Sequence, residues 1–176
     1  SIVIVTFSVT SLGTVTVKVV ENTETGKLEV ESVSSTEAEP LTFTNSYNVE
    51  PVTAKFPVKK EMVVPEGQTG PADWSYTITV AANNGAPEAE TMIGTVTKAE
   101  PTATFGDFTF TAPGEYTYKV TEEGTVLGVT NDSAATTGKT VTVTVTDNGD
   151  GTMSAVVKYS PEDPTFENYY VTNDVS

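Results

Sequence analysis

The chain has 176 residues, a formal net charge of −15, and neither cysteine nor histidine. Such an acidic chain would be repelled by the phosphates of a nucleic acid and by an anionic membrane, so we expect neither as a partner. Without Cys and His, the sequence excludes disulfides, thiol or histidine catalysis, and ordinary zinc sites. Many residues are Val and Thr, which favour extended structure because β-branched side chains pack well on a pleated sheet.

The amino-terminal part of the chain is typical of β-strands. The opening stretch, SIVIVTFSV, alternates in polarity like a strand, and it is too short and lacks the basic start of a signal or membrane segment. From Gly13 the chain runs through TVTV, an acidic turn, a second strand and an acidic loop that contains a proline. This first copy of a pattern closes on Phe43, Asn45 and Tyr47.

The same order of features recurs about one domain length further along the chain. A second copy begins at Lys139 with TVTV, continues through an acidic turn and a second strand, and closes on Phe166, Asn168 and Tyr170. A repeat of this length predicts tandem domains rather than a solenoid.

The repeat also predicts where the domains lie. Residues 1–49 are expected to be the C-terminal part of a preceding β-sandwich repeat, and residues 50–176 a complete domain. Since the first copy lacks its front half, we expect the chain to belong to a longer tandem array. The linker NVEPVTA is short and Pro51 stiffens it, so consecutive domains should form a semi-rigid rod.

The predicted strands of the second domain follow one another closely. They lie in AKFPVKKEM, WSYTITVA, ETMIGTVTK, FGDFTFTA, EYTYKVTEEG and KTVTVTVT. The DNGDG run at Asp147 to Gly151 predicts a hairpin turn, because Asn and Gly tolerate positive φ; it lacks the rest of a calcium loop, so we expect no metal there. Short strands with turn signals predict an all-β, Ig-like antiparallel β-sandwich.

Three of these strands each place one polar residue on the face that carries the hydrophobic residues. By parity these residues are Lys60, Glu122 and Asn168. Unbroken alternation favours Lys60 over its neighbour Lys59, although a β-bulge would exchange the two. Pro57 removes a ladder donor, so we expect its strand to be bulged, short or at an edge.

The three polar residues allow two joint explanations, because an unpaired buried charge costs several kcal/mol. One is a buried Lys–Glu ion pair. The other is covalent: a desolvated Lys60 loses its proton and becomes a nucleophile, and Glu122 stays protonated. The neutral carboxyl group then donates to the carbonyl oxygen of Asn168 and passes a proton to the leaving ammonia, which gives an isopeptide bond.

The stretch PGEYTYKVTEE, the hairpin TVTVTVTDNGDGT and the closing F-x-N-x-Y resemble the FctA-type pilin domain of Gram-positive surface proteins. This streptococcal pilin isopeptide-linker family is related in plan to CnaB-type domains. The resemblance covers roughly residues 52–172, together with the matching tail at residues 13–47.

The resemblance implies specific roles for the residues that parity selects. Lys60 on the first strand would bond to Asn168 on the last strand, and Glu122 on a central strand would assist. By the same match, Asn45 would be the acceptor of the preceding domain, with its lysine and glutamate upstream or missing.

The resemblance further implies a structural module of a pilus or cell-surface adhesin, located outside the cell at the cell wall. The implied partners are neighbouring domains or pilin subunits of the same fibre, and no cofactor is implied. The alternative is a module that binds a carbohydrate or a host protein through aromatic residues such as Trp74. Trp74 shares the parity of Tyr76, Ile78 and Val80, which favours core packing instead. A turnover enzyme is not expected, because there is no His, no Cys and no paired-acid motif.

Overall fold

The computed structural model describes residues 2–9, 13–34 and 45–171. The chain divides into two compact units, Ser1–Ser46 and Tyr47–Ser176. The interpretation of these units as tandem repeats, with a boundary after residue 49, stays a prediction.

The first unit contains an antiparallel sheet of three strands. The strands are β1 (Ile2–Val9), β2 (Gly13–Asn22) and β3 (Lys27–Val33), in that spatial order. The acidic turn between β2 and β3 is closed by the side chain of Asn22, whose Oδ1 accepts the backbone N–H groups of Glu24 and Thr25. The predicted order of strand, acidic turn and strand is therefore present here.

Within its described residues, 47–171, the second unit has nine strands that form two sheets. They are β4 (Val52–Val63), β5 (Ser75–Asn83), β6 (Ile93–Thr97), β7 (Thr102–Phe110), β8 (Gly114–Glu123), β9 (Val129–Thr130), β10 (Lys139–Asp147), β11 (Met153–Ser160) and β12 (Thr165–Tyr170). One sheet has the order β11-β10-β8-β5-β6 and the other β7-β4-β12-β9. The described residues contain no helix, so the all-β prediction is confirmed.

The two sheets of this unit share one hydrophobic core. Alternate residues of β4, β5, β7, β8 and β10 are buried, as the period-2 pattern predicts. Aromatic rings dominate the centre: Phe56 stacks on Phe108 with 5.3 Å between ring centroids, and Phe108 lies 4.5 Å from the ring of Tyr118. These rings come from both sheets and hold them together as a β-sandwich.

The first and last strands of the unit, β4 and β12, lie side by side and run parallel. Their register pairs Thr165 with Lys59 and Tyr169 with Val63. The other strand pairs in the described ranges are antiparallel. A parallel pair needs a long connection, and here the rest of the unit supplies it.

The strand that contains Pro57 is long and lies inside its sheet, and it is bulged. Its register with β7 shifts between Ala54 and Phe56. Lys60 N donates to Pro101 O on the β7 side, so alternation turns the missing N–H of Pro57 to the opposite side, where pairing with β12 begins only at Lys59. The proline therefore costs no hydrogen bond to the neighbouring strand, and the alternation that selects Lys60 is intact beyond the bulge.

The DNGDG run forms the predicted hairpin turn between β10 and β11, with Gly149 and Gly151 at positive φ. The turn also holds the segment that leads into β4. Tyr47 donates its hydroxyl to Asp147 Oδ1 at 2.9 Å and accepts Gly151 N–H at 3.0 Å, and Glu50 N donates to Gly151 O. The start of the unit is thus tied to a hairpin about 100 residues away in sequence.

Replacing Phe56 with alanine should destabilise the protein strongly. Phe56 is fully buried between the two sheets, and truncating such a residue costs about 3–5 kcal/mol through lost burial and the cavity left behind. Leu127 is 97% exposed, so Leu127→Ala should change the free energy of unfolding by less than about 0.5 kcal/mol. Urea denaturation of both variants tests whether Phe56 lies in the core, and equal losses of unfolding free energy in the two variants would contradict it.

Candidate functional site

Three polar side chains lie buried between the two sheets. Lys60 on β4 is 1% exposed, Glu122 on β8 is 5% exposed, and Asn168 on β12 is fully buried. Lys60 and Asn168 belong to neighbouring strands of one sheet, and Glu122 belongs to the opposite sheet. The structure therefore brings together the residues selected by parity, although their chemical roles stay a prediction.

The sequence neighbours of these residues point the other way. Lys59 and Glu123 are exposed, and Lys59 forms a surface ion pair with Glu61 at 3.1 Å. Because side chains alternate along a strand, Lys59 and Glu123 are adjacent in sequence to the buried pair but face solvent. They provide matched controls for experiments on Lys60 and Glu122.

The amine of Lys60 lies in a confined setting. Its Nζ is 3.3 Å from Glu122 Oε2, and it donates hydrogen bonds to the carbonyl oxygens of Phe166 at 3.1 Å and Glu61 at 3.2 Å. It also sits 4.9 Å from the centroid of the Tyr76 ring. The side chain thus points along the β4–β12 pair toward the strand that carries Asn168.

Burial shifts Lys60 and Glu122 toward their neutral forms. Desolvation lowers the pKa of the Lys60 amine, and the nearby Glu122 carboxyl group opposes that shift only in part. Desolvation likewise raises the pKa of Glu122, against the opposing effects of Lys60 and the Asn168 amide. Both shifts favour an uncharged amine beside an uncharged carboxylic acid.

The hydrogen bonding of Glu122 agrees with a neutral pair. Lys60 Nζ lies 3.3 Å from Oε2 but outside good hydrogen-bond geometry, and the Asn168 amide is the other polar group that acts on the carboxyl group. A buried carboxylate anion with so few hydrogen bonds would be costly, whereas a carboxylic acid is less so. The buried Tyr76 hydroxyl lies in the same polar cluster, where burial raises its pKa and the Asn168 amide opposes that shift.

The amide of Asn168 is held by two residues that parity does not select. Its Oδ1 accepts the backbone N–H of Asp132 at 2.7 Å, and its Nδ2 donates to Asn131 Oδ1 at 3.2 Å. The sequence predicts that Glu122 donates to this carbonyl oxygen; the Asp132 N–H takes one of its two acceptor directions, and the donation by Glu122 stays a prediction. The Asn-Asp pair resembles an ordinary turn in the sequence, so only the tertiary contact reveals its link to Asn168.

Asp132 anchors the loop between β9 and β10, in which it lies, to the last strand. Its Oδ1 accepts Ala134 N–H and its Oδ2 accepts Glu167 N–H, and Lys139 Nζ lies 3.4 Å from Oδ2. Burial would raise the pKa of Asp132, but the two backbone N–H groups and Lys139 outweigh it, so the pKa is lowered.

The other candidate residues differ from Asn168 or lie elsewhere. Asn45 is exposed, unlike Asn168, and its role as an acceptor in a preceding domain stays a prediction. Phe43, which begins the same motif, lies outside the described residues. Trp74 is buried and packs near Tyr76, with 6.1 Å between ring centroids, so it does not form an exposed platform for a sugar.

The described ranges lack the side-chain cluster of a metal site and the helix of a membrane span. They contain no group of three or more acidic side chains placed to hold a metal ion. They contain no helix that is both long and apolar enough to cross a bilayer.

The chain is similar to known pilin domains. A family model described as "FctA: Spy0128-like isopeptide containing domain" matches residues 56–171. The major pilin of Streptococcus pyogenes is 25% identical, with a TM-score of 0.51, and the match covers 66% of this chain and 50% of the pilin. The T-13 major pilin of the same species is 23% identical, with a TM-score of 0.45, covering 70% of this chain and 55% of that one. No curated protein matches the chain.

Replacing the carboxylate of Asp132 should reduce the loss of unfolding free energy that the protein shows as the pH falls. The pKa of Asp132 in the folded state lies below the ordinary value of 3.8. Its contribution to the free energy of unfolding is therefore complete when the pH is above 3.8, and it is lost as the pH falls through the lower folded pKa. Urea midpoints of the wild type and Asp132→Asn should therefore differ most near neutral pH and converge in acid. Asp107→Asn, at an exposed carboxylate, is the control; a constant difference for Asp132→Asn at every pH would contradict the assignment.

Proposed function

Because the chain belongs to the FctA family of Spy0128-like isopeptide-containing domains, we propose that it is a structural module of a Gram-positive pilus or surface adhesin, braced by an isopeptide bond between Lys60 and Asn168. The observation that carries this proposal is the burial of an amine, a carboxyl group and an amide together between the first and last strands. The chain spans half the length of the similar pilin, so the function of the whole fibre is part of the proposal.

The proposed reaction is a single amide exchange. The neutral amine of Lys60 attacks Cγ of Asn168, forming an N–C bond, and the bond from Cγ to Nδ2 breaks. One amine proton moves through Glu122 to Nδ2, which leaves as ammonia, so atoms and charge balance. The reaction happens once per chain and has no turnover.

Confinement accounts for the rate of a reaction that is slow in water. The apolar interior favours the nucleophilic form of Lys60 and the acidic form of Glu122, as their pKa directions indicate. Strand pairing keeps amine and amide on adjacent strands, which supplies a high effective molarity. A simple structural ion pair is less well supported, because Lys60 Nζ at 3.3 Å and the Asn168 amide are few partners for a buried anion.

The bond would stabilise a domain that has no disulfides. By the chain-entropy treatment of cross-links, closing a loop of about 100 residues contributes about 5 kcal/mol. The proposed location is outside the cell at the cell wall, with neighbouring domains or pilin subunits of the same fibre as partners.

Intact-mass measurement should find the wild-type protein lighter by one ammonia than its sequence requires. Lys60→Ala, Glu122→Ala and Asn168→Ala should each restore the full mass, because each removes one reactant or the proton carrier. These variants should also unfold at lower temperature and be digested faster by proteases.

The matched controls are Lys59→Ala and Glu123→Ala, whose side chains face solvent one position away. Both should keep the mass deficit. A wild-type protein of full mass, or a deficit that persists in Lys60→Ala, would refute the proposed bond.

The rate of bond formation should show a bell-shaped dependence on pH. The reactive pair holds one titratable proton between Lys60 and Glu122. In acid the amine becomes protonated and the pair holds two protons; because the pKa of Lys60 is lowered, this happens at a pH below the usual lysine range. In alkali Glu122 loses its proton; because its pKa is raised, this happens at a pH above the usual glutamate range. Protein from a cell-free reaction, shifted to different pH and followed by intact mass, tests this, and a rate that rises steadily into alkali would argue against Glu122 as the proton carrier.

A further inference from the structure

The loop before β10 connects the proton carrier and the electrophile of the proposed reaction. Glu122 N donates to Ala135 O at 2.8 Å, which ties the loop to β8 next to the carboxyl group. Asp132 accepts Glu167 N–H and donates its own N–H to Asn168 Oδ1, which ties the same loop to β12. The loop therefore fixes the strand of the proton carrier and the side chain of the electrophile relative to each other.

Backbone groups at both ends of this network dictate which way the Asn168 amide points. A backbone N–H can only donate, so the atom of Asn168 facing Asp132 N must be Oδ1. A backbone carbonyl can only accept, so the atom of Asn131 facing Gly124 O, at 2.8 Å, must be Nδ2. Asn131 Oδ1 is then left to accept from Asn168 Nδ2, and the assignment is consistent along the whole chain of hydrogen bonds.

We propose that the Asn131–Asp132 loop activates the electrophile: the Asp132 N–H stabilises the oxyanion that forms on Asn168 Oδ1, and Asn131 positions Nδ2 as the leaving group. This inference rests on the proposed function. During attack by Lys60 the carbonyl electron pair moves onto Oδ1, and it returns as the bond to Nδ2 breaks and ammonia departs with the proton from Glu122. Donors at 2.7–3.1 Å from the developing oxyanion are typical of such sites, and the Asp132 N–H lies at 2.7 Å.

Asn131 is a positioning residue in this scheme, and its replacement by alanine should slow the reaction. Asn131→Ala removes the acceptor that Asn168 Nδ2 contacts at 3.2 Å, so the amide is held less firmly with its carbonyl oxygen toward Asp132. We expect bond formation at least about tenfold slower, since losing one preorganised oxyanion donor costs about 10²- to 10³-fold in characterised enzymes. The rate is measured as the loss of one ammonia from intact mass after cell-free synthesis, with Ser133→Ala, an exposed neighbour on the same loop, as the matched control.

Amide hydrogen exchange in a chain that cannot react separates positioning from general destabilisation. In Lys60→Met, the Asp132 amide proton should be protected, and adding Asn131→Ala should speed its exchange at least about tenfold. The amide proton of Glu122, which donates to Ala135 O, should keep its protection in both variants and serves as an internal reference. A merely structural role of Asn131 would speed both exchanges alike.

The outcomes distinguish this inference from the proposed function. A wild-type protein of full mass would refute the bond itself. A wild type with the mass deficit, together with wild-type rates in Asn131→Ala, would refute only the role of the loop. If Asn131→Ala does not fold, hydrogen exchange is compared between Lys60→Met and the double variant Lys60→Met/Asn168→Ala. Protection of the Asp132 amide that persists after its acceptor, Asn168, is removed would overturn the inference.

Discussion

The parallel pairing of β4 with β12 is the constraint on which the other features of the site depend. It places the first and last strands of the unit next to each other, so that Lys60 and Asn168 share one sheet although most of the unit separates them in sequence. The opposite sheet then needs to contribute only one group, Glu122, to complete the set. A strand order that separated β4 from β12 within this sheet would move the amine away from the amide.

The same dry interior that stabilises the fold also sets the chemistry of the site. Aromatic and aliphatic side chains exclude water, and the resulting desolvation is the largest cause of the pKa shifts of both Lys60 and Glu122. In an ordinary core these two residues would only reduce stability. In the proposed reaction the cost is temporary, because amine and amide become a neutral isopeptide group.

Parity along single strands predicts much of this site, and long-range topology explains what it misses. The alternation of buried and exposed residues distinguishes Lys60 from Lys59 and Glu122 from Glu123, because local geometry alone determines which face a side chain occupies. The parallel partner of β4 and the two-residue strand β9 have no local pattern, and neither does the contact of Asp132 with Asn168. Those features depend on which strands pair with each other, and the alternation of residues along one strand does not reveal that.

The direction of the β4–β12 pair also determines how the proposed bond would carry force. In a parallel pair the start of the first strand, β4, and the end of the last strand, β12, lie at opposite ends of the strands. Tension would therefore act along the strands as shear, which loads their hydrogen bonds together rather than one after another. A bond between Lys60 and Asn168 would pass tension applied to β4 directly to β12, by a covalent path that bypasses β5 to β11 and the shared core.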